Sequence, residues 1–161
     1  MGRKPATPQE AKECESFRKF LVADGEAYWR TITKEGTQEC MSHFALVNEA
    51  GEITILPILQ IPEDVRAKRA VFAAVHAMIR RMKPIGVAFL GEVWTAPEGS
   101  KLPPAEQDSR GEAFFIDVET VEPHRETIAW EIERFESPPK LTRKVGDVFE
   151  NRLMPPDLLR P

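Results

Sequence analysis

The architecture turns on three runs, IGVAFLGEVW (85–94), EAFFIDVETV (112–121) and ETIAWEIERF (126–135). In each, apolar residues recur at alternate positions. Ile85, Val87, Phe89 and Val93 form the first set, Phe114, Ile116 and Val118 the second, Ile128, Trp130 and Ile132 the third. A period of two places such a set on one face of extended backbone. Three runs with one apolar face each predict antiparallel strands packed on helices. Glu92, Asp117, Glu119, Glu131 and Glu133 have the opposite parity in their runs, so the alternation places them together on the sheet face turned from the helices.

Upstream, SHFALVNEAGEITILPI (42–58) reads as a hairpin, with Asn48 and Gly51 supplying the turn. Pro57 has no amide hydrogen, which marks its strand as an edge or an end. Thr7-Pro8-Gln9-Glu10 is a helix start, with a cap at Thr7 and proline in the first turn. Ala11, Cys14, Phe17 and Leu21 follow at helical spacing, predicting a helix over about 8–24 with Gly25 as a left-handed stop. Tyr28–Ile32 reads as a short strand or an irregular packing segment. Pro62-Glu63-Asp64 opens a second helix; Val65, Phe72, Val75, Ile79 and Met82 share one face, and Pro84 ends it.

The order α-β-β-α-β-β-β implies a two-layer α+β fold with a mostly antiparallel five-stranded sheet and helices on one face. Residues 1–136 form the expected domain and 137–161, bracketed by proline pairs, a tail. Leu141, Val145, Val148, Phe149, Leu153, Met154, Leu158 and Leu159 make that tail more apolar than a solvated one, so it is expected to dock on its own domain or on a second chain.

Length and composition narrow the function classes. The chain has 161 residues, 42% hydrophobic, with 22 Lys+Arg against 26 Asp+Glu and a net charge of −4. One domain fits that length, and the charge argues against a general nucleic-acid coat. No apolar run approaches the roughly 20 residues of a membrane span, and none follows the first basic residues as in a secretory signal. Cys14 and Cys40 lack C-x-x-C spacing and read as reduced thiols, so the expected setting is cytoplasmic.

Acidity is concentrated in residues 85–136, where twelve acids face four bases. If Glu92, Asp117, Glu119, Glu131 and Glu133 converged, they would suit Mg²⁺ or another hard divalent cation. If they splay, they form a solvated face or a surface for a basic partner. His43, His76 and His124 stand apart from one another, with no zinc spacing among them. Serine elbows and phosphate-binding glycine loops are absent. Arg66, Lys68, Arg69, Arg80, Arg81 and Lys83 put a basic stripe on the second helix, read as a solvated face whose last cations complement the helix dipole. Nucleic-acid phosphate is the alternative occupant of that stripe.

GEVWTA (91–96), a proline-rich loop, and DSRGEAFFIDVE (108–119) resemble a pattern in small uncharacterised proteins of bacteria and their phages: S-E-A-W, a variable loop, then P-D-R-x-E before an apolar strand. Glu92 and Trp94 match the first part; Asp108, Arg110 and Glu112 match the second. Gly91 and Ser109 replace the pattern's Ser and Pro. The resemblance implies no activity, but it groups Glu92, Trp94, Arg110 and Glu112 at one rim of the sheet. That rim is either an Arg–carboxylate brace for the long loop or a small site for a ligand or partner. The leading expectation is a non-enzymatic binding or assembly module without a cofactor, meeting a protein partner or a second copy through loop 95–111, the acidic face or the tail. The alternative is a divalent-metal-dependent phosphoester hydrolase built on the five carboxylates.

Overall fold

The computed structural model describes residues 4–32, 42–58, 60–95, 111–133, 140–145 and 158–159. Thr7 caps the first helix, its Oγ1 accepting from the Glu10 amide at 3.2 Å, with Pro8 at the first helical position. Helix α1 (Pro8–Arg18) continues through a π-turn, Lys19–Ala23, to the end expected from the sequence. Gly25 is not its left-handed stop. It opens α2 (Gly25–Ile32), at the place where the strand or irregular segment was expected. A Cβ at Gly25 would strike the ring of Trp130, so glycine serves here to bring a helix close to the sheet.

The hairpin is β1 (His43–Val47) and β2 (Ile53–Pro57). Asn48 makes the turn: its Oδ1 accepts from the amides of Ala50 at 3.0 Å and Glu52 at 2.9 Å, and Gly51 takes φ +81°. Helix α3 (Val65–Met82) starts at an Asp64 cap, whose side chain accepts from the Ala67 amide at 2.7 Å. It ends on Lys83 in the left-handed region, φ 50°. Strands β3 (Gly86–Thr95), β4 (Gly111–Thr120) and β5 (His124–Glu133) follow as a meander.

The fold is α+β with an antiparallel sheet, and the five strands stand in the expected sequence order. Lys140–Val145, expected in the tail, adds β6 alongside β5, giving the sheet order β2-β1-β3-β4-β5-β6. Leu158 and Leu159 are buried in the same core as Phe17, Phe44 and Ile116. The described parts of the tail, 140–145 and 158–159, therefore pack on the chain's own sheet and core.

Strand register corrects the expected faces. Phe89 stands opposite Asp117, and Val87 opposite Glu119, so the apolar set of β3 shares a face with the acids of β4. Phe114, Ile116 and Val118 do share a face with Ile128 and Trp130, as expected, but on the side that carries Ala88 and Leu90. β3 is apolar on both parities, so alternation within that strand could not fix which of its sets meets the apolar set of β4.

Helices lie over both faces, where the sequence pattern put them on one. Phe17 of α1 lies against the Val47–Gly86 pair, on the side of Ile116 and Trp130. Phe72 of α3 packs on the other side, with ring centroids 6.4 Å from Phe44 and 5.9 Å from Phe89. Of the apolar face expected for α3, Ile79 is fully buried, but Val65 is 62% exposed and Met82 43% exposed.

Candidate functional site

The five carboxylates do not form one cluster. Glu92 is opposite Phe114, on the side of α1 and α2, whereas Asp117, Glu119, Glu131 and Glu133 lie on the side of α3. This corrects the expected single acidic face. The parity assumed for β3 was reversed relative to its neighbour.

Nor is the shared face turned to water throughout. Asp117 and Glu119 are 3% and 6% exposed. Asp117 accepts a 2.9 Å hydrogen bond from Thr127 Oγ1, and the Arg125 guanidinium lies 3.7 Å from Asp117 and 3.8 Å from Glu119. A buried carboxylate needs such compensation, because losing water costs it several kcal/mol. Glu131 stands opposite Ala113, four residues along β4 from Asp117, which at strand rise is about 13 Å. Among the described residues no group of three or more His, Cys, Asp or Glu side chains is placed to hold a metal ion.

The rim is assembled in part. Trp94 and Glu112 are cross-strand partners, and Glu92 lies on the same face two residues along β3. Arg110, the expected partner in that brace or pocket, lies outside the described residues. A residue not expected at this rim, Trp29 of α2, donates from Nε1 to Glu92 Oε1 at 3.2 Å. Its neighbour Tyr28 shares a 3.0 Å hydrogen bond with His43 Nε2, and His43 is 3% exposed. His43 pairs with Leu90, so His43 and Glu92 are diagonal neighbours beneath one helix. These contacts pin α2 to β1 and β3. The signal is present in Tyr28-Trp29, two large side chains with polar tips, in a segment expected to be a short strand or an irregular packing segment and found as a helix.

His76 is half-buried between the rings of Phe44 and Phe72, 5.8 Å and 6.1 Å away. The cations of α3 are exposed, as expected for a solvated face. Cys14 is buried and donates from Sγ to the Ile85 carbonyl at 3.3 Å. Burial pushes its thiol up, partly offset by backbone hydrogen bonding at Glu122 and Val121. A groove of about 650 Å³ between α1 and the β4–β5 turn is lined by both signs of charge, including Lys12, Glu15, Arg18 and Glu122. Within it the Lys19 ammonium, 2.9 Å from Glu15, holds that carboxyl below its usual range.

Strand β2 is the sheet edge that Pro57 foretells. Ile58 N–H donates to Ser42 O at 2.8 Å, and Asn48 N–H to Glu52 O at 3.1 Å. Combined with the β1–β2 register, these bonds turn the even-numbered amides of β2 toward β1 and the odd-numbered ones outward. Among the described residues that edge has no strand beside it, and it offers the N–H and C=O groups of Ile53 and Ile55, whose side chains are 42% and 43% exposed. Comparison of the chain with family models, curated proteins and solved structures finds no match. No helix among the described residues is long and apolar enough to cross a membrane.

Proposed function

We propose that this chain is a non-enzymatic binding and assembly module that engages its partner along the edge of β2. The observation that carries this reading is the open backbone of Ile53 and Ile55, flanked by their own exposed side chains, on a sheet whose central strands are buried on both faces. An extended segment added there gains main-chain hydrogen bonds and apolar contact together. The interior polar groups favour the same reading. The Asp117–Thr127, Trp29–Glu92 and Tyr28–His43 bonds each tie one element of the fold to another. The tail offers less to a partner, since Leu158 and Leu159 are buried in the chain's own core. A metal-dependent hydrolase would require convergent carboxylates, and Glu92 and Glu131 diverge from Asp117.

A photo-crosslinking side chain placed at Ile55, compared with one at the exposed Arg81 of α3, tests the proposal in cells making the protein. Discrete adducts at position 55 and none at 81 are expected. Absence of adducts at 55, or the same adducts at both positions, would overturn the edge-binding reading.

A further inference from the structure

We infer that the partner of the β2 edge is a second copy of this chain, joined antiparallel about Thr54. The inference rests on the edge-binding reading and names its occupant.

The run Ile53-Thr54-Ile55 reads the same in both directions. Antiparallel pairing about a two-fold axis at Thr54 sets Ile53 of one copy opposite Ile55 of the other, and Ile55 opposite Ile53. These are the residues whose amides and carbonyls point outward. Each such pair exchanges two hydrogen bonds, so four form and no outward amide between positions 53 and 55 is left over. Thr54, which has no outward amide to offer, falls on the axis as a non-hydrogen-bonded pair, where threonine meets threonine favourably. Four isoleucine side chains meet on one face.

The flanks agree with this register. Glu52 would face Leu56 of the other copy, and the two Glu52 side chains would stand about 13 Å apart along the strands. Each Glu52 is already held by its own Asn48 Nδ2, at 2.7 Å. Pro57, with no N–H, ends the pairing. Such an interface is isologous and closes on itself. Two short strand edges bury less than the roughly 1,200 Å² of a standard stable interface, so the dimer is expected to dissociate on dilution through the micromolar range.

The test is disulfide trapping in a Cys40→Ser background. A non-hydrogen-bonded antiparallel pair sets its Cα atoms about 4.5 Å apart, within disulfide reach. Thr54→Cys is therefore expected to give at least tenfold more covalent dimer under mild oxidation than Glu52→Cys. Adding Ile55→Pro to Thr54→Cys removes an outward amide without touching the β1 ladder, and should abolish the dimer. If that variant folds poorly, Ile55→Lys keeps every backbone bond and should abolish it by like-charge repulsion. Equal trapping of Thr54→Cys and Glu52→Cys, or an untrapped chain that stays monomeric by light scattering at all concentrations, would overturn self-pairing. Position-55 adducts of foreign mass would overturn it too, while leaving the edge-binding reading intact.

Discussion

Cys14 shows how a small side chain can report on the core. It is 1% exposed, and burial raises its thiol pKa above the ordinary 9.0. The sign of the linkage follows. Below that ordinary value both folded and unfolded chains hold the proton, and the stabilisation is fully present. Above it the unfolded chain ionises first, so folding stability falls as pH rises. Cys14→Ala should therefore lose less stability than the parent between pH 8 and pH 10, by urea denaturation at each pH. An identical pH slope in both proteins would count against the assignment. The thiol should also resist alkylation at neutral pH until denaturant is added.

Among the elements, α3 carries an avoidable strain at its end. Lys83 adopts φ 50°, a conformation that costs a side-chain-bearing residue roughly 1 kcal/mol and glycine little. Lys83→Gly is expected to raise stability by up to about 1 kcal/mol, read as a higher denaturation midpoint; a lower midpoint would show that the lysine contributes more than its strain. Proline and acid signals placed this helix well in the sequence, as Thr7 and Asn48 placed α1 and the hairpin turn. What stayed illegible had a common cause. The β4 and β5 faces could be matched because Phe114, Ile116, Ile128 and Trp130 stand out against acids. β3 is apolar on both parities, so its register against β4, and with it the side on which Glu92 lies, depended on contacts across the sheet. Helix α2 was hidden because Tyr28 and Trp29 suit a strand by propensity and are drawn into a helix by packing on Glu92 and His43.

At the scale of the whole molecule, Leu158 and Leu159 belong to the core. Leu158 and Leu159 are 1% and 0% exposed. Leu158→Ala and Leu159→Ala should each cost about 2–5 kcal/mol, comparable to truncating any interior leucine. Urea denaturation measures this, and a change within error for both would mean that the segment only rests on the surface. The apolar excess of residues 137–161 made docking legible in the sequence, but the choice between own domain and second chain was not. It depends on how much core the rest of the chain leaves uncovered, which composition does not reveal.

The core cluster draws members from Cys14 through to Leu159, and that span has a kinetic consequence. Contacts so distant in sequence close late, because the loop entropy must be overcome before burial rewards it. The β3–β4–β5 meander can zip locally, but the groups destined to meet Leu158 and Leu159 stay wet until that distant segment folds back onto them. During that interval part of the apolar core faces outward, a window in which holdase chaperones or premature edge-to-edge clumping compete with maturation.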